Sequence, residues 1–543
     1  MPARGLATSL ESIQIQPRTP KTPRGGYHRR DSTDGAVLDE VELSLLDEEE
    51  RRQAALDVAD EGEEARSDIK RSMSSQDKSA IVLLIILYLI QGFPLGLALG
   101  SLPFLLREHL SYSQLAIFSL ASYPYSLKLL WSPIVDSLYL PSVGRRKSWI
   151  IPMQLLVGTI MFALSFYADE MMNDPSEYIY ILTAAFTGLV FFSATQDIAV
   201  DGWALTLLSE DNLPYASTSQ TIGLNTGYLL SYTVFLALNS EAFSQKWGIP
   251  RLTLNAYLLF CSLMSYAVTV WIFFKKEDKE SSEVDISIKS AYVTMWTICK
   301  LPHVQTLLIV HLFAKIGFQA NDAVTSLKMV EKGLGREDLA ITVLIDFPFQ
   351  IFSGWLAGKW ARGDKPLRAW IHAYWPRLVL TLIATLMVYW FPKPPVPTWF
   401  FVLIVTQTIA SSFGSTIQFG GMAAFHTRIS DPIVGGTYMT ILATFSNLGG
   451  TWPRYFVLKG VDLFSVATCN IGHDLSVTAT ECVSEHGKAS CAELGGECIT
   501  ERDGYYIVSA ICLGLGLLSV VFFMIPTARK LQAIPPSKWR VFS

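Results

Sequence analysis

The chain has 543 residues, 50% of them hydrophobic and only 17% charged, with a mean hydropathy of +0.32 and a net charge of −5. Soluble domains carry roughly 25% charged residues, so the deficit excludes an ordinary soluble enzyme and points to lipid as the solvent. Residues 79–543 hold 31 Lys/Arg and 31 Asp/Glu, a balance that gives no basic excess for nucleic acid.

Residues 1–78 carry the imbalance, with 12 Lys/Arg and 17 Asp/Glu. Acidic runs at Asp47 to Glu50 and at Glu61, Glu63 and Glu64 lie among Pro, Ser, Thr and Gly. Such a stretch buries too little apolar surface to offset its ordering entropy, so it reads as a disordered cytosolic tail. Ser72, Ser74 and Ser75 are candidate phosphorylation sites, against a plain solvating role. The tail lacks the apolar core of a cleavable signal peptide, which leaves targeting to the first hydrophobic helix.

From Ile81 onward, apolar segments of about 20 residues recur, each long enough to cross a hydrocarbon core of roughly 30 Å. Helices are expected near 80–106, 113–137, 149–168, 178–202, 215–239, 252–274, 303–330, 338–361, 371–391, 398–425, 434–458 and 505–526. The pattern is that of an all-α membrane protein with twelve transmembrane helices. An even number puts both termini on one side. Connections on that side and the carboxyl end hold 17 Lys/Arg against nine opposite, so both termini are expected in the cytosol.

The polar connection 275–302 separates two six-helix halves, 79–274 and 303–530, and 531–543 forms a second cytosolic tail. A faint repeat supports the division. Asp136 is followed by Gly144-Arg145-Arg146-Lys147 after the second helix, and Gly354 by Gly358-Lys359, Arg362-Gly363-Asp364-Lys365 and Arg368 after the eighth. Transporters built from two halves place such loops in corresponding positions. The long connection 459–504 holds Cys469, Cys482, Cys491 and Cys498 on the non-cytosolic side. Four cysteines there imply two disulfides in one of three connectivities; their spacings contain no zinc knuckle, and no metal is expected.

Ionisable groups at membrane depth face a cavity or a partner. Lys128, Lys315, Asp322, Lys328, Asp346, Arg377 and Arg454 lie inside apolar segments, with His311, Gln350, Gln407, Gln418 and Asn447. Cations outnumber acids, which suits an anionic substrate. Lys128, Lys315, Lys328, Arg377, Asn447 and Arg454 are therefore the candidate substrate ligands, with helix-to-helix ion pairing as the competing role. Asp197 and Asp201 sit four apart on one face at the cytosolic end of the fourth helix. With Asp136 they are expected to engage Arg145, Arg146 and Lys147 as a gate; carrying protons is the weaker alternative. Trp131, Trp203, Tyr228, Trp355 and Trp452 offer ring faces that stack on a base, though packing between helices is the commoner role. G-x-x-x-x-G-K-[ST], H-E-x-x-H, C-x-x-C and G-x-S-x-G are absent, so no cofactor or hydrolytic site is expected.

Several runs resemble the acetyl-coenzyme A transporter family of the major facilitator superfamily. They are Gln91 to Leu97, Ser126 to Pro133, Gly144 to Trp149, Ala194 to Leu205, Ala314 to Phe318, Ser430-Asp431-Pro432, Gly435 to Thr440, Ser446 to Gly450 and Asp503 to Tyr506. The resemblance covers about residues 80–530. Gln196-Asp197-Ile198 and Asp201 alone are also similar to bacterial muropeptide permeases. The resemblance implies a twelve-helix carrier of the endoplasmic reticulum membrane that brings cytosolic acetyl-CoA into the lumen by alternating access. Beyond the bilayer, acetyl-CoA is the implied partner, and a homodimer stays open. The rival readings are a carrier of another organic anion, such as a nucleotide-linked metabolite or glutathione disulfide, and an intramembrane acetyltransferase using His311, His372 or His426.

Overall fold

The computed structural model describes residues 74–209, 212, 215–277, 288–360, 365–430, 435–471, 475–477, 480–483 and 485–540. The tail as far as residue 73, with its Ser72, lies outside them, as do most of the connection after Lys276, the run Arg362 to Asp364, and Asp431-Pro432. The chain is a helical membrane protein whose first long helix, α1 (Ser75–Arg107), starts on a Ser74 cap that accepts from the Asp77 amide. The expected second helix appears as short pieces, α2 (Tyr112–Ser119), α3 (Tyr123–Leu127) and α4 (Ser132–Ser137), separated by 3₁₀ turns. Pro124 and Pro133 lie within the first two positions of α3 and α4. Each lacks the N–H that would carry a helix through. Then follow α5 (Lys147–Asn173), α6 (Pro175–Leu207), α7 (Tyr215–Asn239) and α8 (Leu254–Phe274).

The second set opens with α9 (Ile288–Lys300) and α10 (Pro302–Phe313), which meet at an 84° bend, and continues through a 3₁₀ turn and a π turn into α11 (Ser326–Glu331). Next come α12 (Arg336–Trp360), α13 (Leu367–Tyr389), α14 (Thr398–Ile429) and α15 (Gly435–Phe464). Eight helices among the described residues are long and apolar enough to cross a membrane, or nine if the bent pair is one span. The long helices α12 and α15 fall outside that set, interrupted by Asp346 and Gln350 and by Asn447 and Arg454. α1 and α7 cross where Gly227 meets Gly92; a Cβ on Gly227 would clash with the Leu89 carbonyl.

The cysteine-bearing segment is not irregular. It forms a three-stranded antiparallel sheet, β1 (Val466–Ile471), β2 (Leu475–Val477) and β3 (Glu497–Arg502) in the order β2-β1-β3, with helix α16 (Glu485–Glu493). Two disulfides, Cys469–Cys491 and Cys482–Cys498, select one of the three connectivities. Cys469 faces Cys498 in the ladder, yet each bonds elsewhere, so the staples tie β1 to α16 and β3 to the turn at Thr480–Val483. The chain then enters the last long helix, α17 (Gly504–Ala533).

Candidate functional site

Two of the breaks in the helices carry a lysine. Lys128 opens the 3₁₀ turn after α3, and Lys315 lies in the break after α10. Non-helical backbone at membrane depth is tolerated where it is buried in protein or lines a cavity, so the breaks mark functional depth. Lys128 forms an ion pair with Asp197 and a second, 3.6 Å long, with Asp201. Tyr125 donates to Asp197 at 3.4 Å, while Tyr88 and Gln220 donate to Asp201 at 2.7 and 2.9 Å. The neighbouring stretch touches the C-terminal helices: Ser126 meets Thr451 at 2.7 Å, and Tyr292 donates to the Leu130 carbonyl at 2.6 Å.

The second cluster has the opposite balance. Arg377 on α13 pairs with Asp322 at 3.2 Å, donates to Gln418 on α14 at 2.7 Å and lies over the Phe318 ring at 4.1 Å. Lys315 donates to the Ser446 carbonyl at 2.8 Å. Arg377 and Asp322 lie within electrostatic reach of Lys315, and Asp322 also reaches Arg454. Arg454 is partly buried on α15 beside Tyr228 and Tyr232, and its Nε finds no hydrogen-bond partner among the described residues. It borders a narrow cleft shared with Ala98, Leu115, Ser122 and Leu458. Three cations thus face one acid. Asn447, one turn before Thr451, is exposed.

At the cysteine-bearing end, N- and C-terminal helices are bridged by charge. Arg107 at the end of α1 reaches Glu331 at 2.9 Å, and Tyr112 donates to the same carboxylate at 3.0 Å. Glu108 pairs with Arg336, Asp462 accepts from the Ser113 amide at 2.6 Å, and Ser240 donates to Glu337 at 2.7 Å. Lys328 sits here. It pairs with Glu331 at 2.9 Å and with Asp503 at 2.7 Å, both within the C-terminal helices. The acids that claim it lie three residues on and 175 residues away, and only the first is visible in the local sequence.

The family model described as acetyl-coenzyme A transporter 1 matches residues 80–286, 275–369 and 363–541. The chain belongs to the acetyl-coenzyme A transporter family. A Schizosaccharomyces pombe protein, described as uncharacterized, is 41% identical over 481 residues, covering 87% of this chain and 90% of that one. An uncharacterized membrane protein of Saccharomyces cerevisiae is 39% identical over 555 residues, 86% and 98% of the two chains. Among solved structures, an inward-facing, unoccupied bacterial homologue of the human lysosomal transporter Spinster gives a TM-score of 0.57 at 11% identity, over 85% of this chain and 99% of that one. A D-xylose–proton symporter gives 0.56 at 10%, over 84% and 99%. The fold is that of the major facilitator superfamily, and the protein is a membrane carrier rather than an enzyme.

In this acetyl-coenzyme A transporter family member the loop Gly144 to Lys147 is held by Asp136 and Glu277. Arg146 pairs with Asp136 at 2.8 Å, and Arg145 donates to the Asp136 carbonyl at 2.7 Å. Glu277 accepts from the Arg146 and Lys147 amides at 2.9 and 3.1 Å, capping the start of α5. Lys147 donates to the carbonyls of Phe273 and Lys275. Gly144 at φ 113° lets Glu277 approach, and the bare backbone of Gly202 lets the Arg146 guanidinium lie across α6. Asp136 thus pairs with this loop, while the carboxylates of Asp197 and Asp201 pair with Lys128.

Sequence reasoning missed the bridging set Arg107, Glu108, Glu331, Arg336 and Asp462. Its one signal was charge gathered at helix ends on the side of the cysteines. Asp346 accepts from Gln350 and Ser412 at 2.7 and 2.6 Å. His311 and His426 are buried and bond each other, Nε2 to Nε2, at 2.8 Å. A separate groove of about 520 Å³ between α12, α13 and α14 is lined by Phe349, Phe352, Phe413 and Ile417. Without a cation it offers nothing to an anion.

Proposed function

We propose that this carrier moves acetyl-CoA from the cytosol into the lumen of the endoplasmic reticulum by alternating access. One observation carries the reading: Lys315, Arg377 and Arg454 outnumber Asp322 around the broken helix after α10. Acetyl-CoA brings phosphates that accept charge-assisted bonds from such groups, and Tyr228 and Tyr232 beside Arg454 offer rings for its adenine. The halves 79–274 and 303–530 would rock about this site. Both termini then face the cytosol, and the stapled sheet faces an oxidising lumen, where disulfides persist. The bridges from Arg107, Glu108 and Ser113 to Glu331, Arg336 and Asp462 act as the lumenal gate, closed here.

The test is counterflow of labelled acetyl-CoA into proteoliposomes holding the purified full chain, with other anions, glutathione disulfide among them, as competitors. Saturable exchange of acetyl-CoA supports the assignment. Exchange of another anion without acetyl-CoA exchange would replace it.

A further inference from the structure

One cationic face of the molecule takes no part in anion binding between the halves. Helix α9 carries two lysines and no acid along its length. Its inner side is fixed to the protein: Met295 and Ile298 are buried, and Tyr292 donates to the Leu130 carbonyl at 2.6 Å. These contacts set the rotation of the helix. Lys289, Val293, Trp296 and Lys300 follow one another at helical spacing and so share one stripe. All four are exposed, Val293 by 55% and Trp296 by 64%. The Lys300 ammonium stands 5.5 Å from the centre of the Trp296 ring. No ion pair joins Lys289 or Lys300 to an acid among the described residues.

The direction of α9 gives the depth of this stripe. It meets the segment Pro302–Phe318 at 84°, so with that segment passing into the bilayer α9 runs along the membrane surface. Phe274 at the end of α8 and Trp360 at the end of α12 are exposed rings on the same end of the bundle, and such rings gather at headgroup level. A helix in that plane, with a valine and an indole between two cations and no acid, is matched to an anionic surface. The apolar pair enters the boundary between headgroups and acyl chains, and the lysine stems let the ammonium groups reach back to the headgroups. A soluble acidic partner would have to strip lipid from Val293 and Trp296 to reach the lysines. We propose that α9 is a binding site for anionic phospholipid, with Lys289 and Lys300 holding the headgroup phosphate and carboxylate. That the leaflet concerned is the cytosolic one rests on the orientation proposed above; the binding itself does not depend on what the carrier moves.

The test is photo-crosslinking of the full chain in phosphatidylcholine nanodiscs that hold a trace of phosphatidylserine with a photoactivatable headgroup. Peptide mapping should place label on α9, and unlabelled phosphatidylserine should displace it where more phosphatidylcholine does not. Lys289→Gln combined with Lys300→Gln should lower the α9 label roughly fivefold for each lysine, about thirtyfold together, with label elsewhere on the chain unchanged. In the wild type, added salt should weaken the α9 label, because exposed charges are screened. An α9 label that survives in the double variant, or that salt leaves unchanged, would overturn the site. Displacement by water-soluble glycerophosphoserine as effective as by the lipid would replace the membrane surface with a soluble anion. Label that appears only once residues 1–73 are removed would give this face to the acidic tail instead. Each outcome is read without acetyl-CoA, so the site stands or falls separately from the transport assignment.

Discussion

Lys128 and Lys315 occupy matching situations, each at a break in a helix, and differ in their company. Lys128 stands between two carboxylates, whereas Lys315 shares its surroundings with Arg377, Arg454 and one acid. The same side chain is therefore a counter-ion in one region and part of a surplus in the other. The number of nearby acids, not the presence of a cation, decides which region can hold an anion.

The largest effect should come from breaking the surplus. Arg377→Ala or Arg454→Ala should lower acetyl-CoA uptake by about two orders of magnitude, since one charge-assisted contact in a desolvated site is worth roughly 2–5 kcal/mol. Uptake in proteoliposomes at matched protein density checks this. In the other region Lys128→Ala should act first on folding. It leaves Asp197 and Asp201 facing each other without a cation, and removing one partner of a buried pair costs about 3–5 kcal/mol. Thermal unfolding in detergent should show a lowered midpoint, largely restored when Asp197→Asn is added. Lost uptake with unchanged stability would instead return Lys128 to the substrate site.

A smaller effect is expected where the two sets of helices meet at the cysteine-bearing end. Glu331 receives Arg107, Tyr112 and Lys328. Glu331→Gln should weaken that closure and raise labelling of a cysteine placed at Ser113 several-fold, read by gel shift with a membrane-impermeant maleimide. The smallest change sharpens the charge argument. Asp322→Asn removes the one acid beside Arg377 and should tighten acetyl-CoA binding a few-fold while slowing release, seen as a lower KM and a lower turnover.

Much of the fold was legible because lipid leaves so few choices. Segments of about 20 apolar residues must be helices, and the even cysteine number foretold two staples. The breaks were less visible. The stretch 113–137 was expected as one helix although Pro124 and Pro133 lie in it, and the turn at Lys315 contains no proline and depends on how that segment packs. Pairing was least legible. Lys128 and Asp197 are 69 residues apart, and Arg107 and Glu331 are 224 apart, so nothing local in the sequence distinguishes a neutralised cation from a surplus one. That is why Lys328 and Arg377 read alike, although Lys328 meets two acids and Arg377 meets one. The sheet was missed for another reason: β3 is exposed along most of its length and so lacks an alternating apolar pattern, and two disulfides tie the strands to their neighbours.

The most direct test of the central claim is a structure of the carrier bound to acetyl-CoA. Phosphate oxygens should lie within about 3 Å of the Lys315 ammonium and the Arg377 and Arg454 guanidinium groups, with Lys128 still paired to Asp197. Phosphates seated on Lys128, with those three cations turned to other partners, would contradict it.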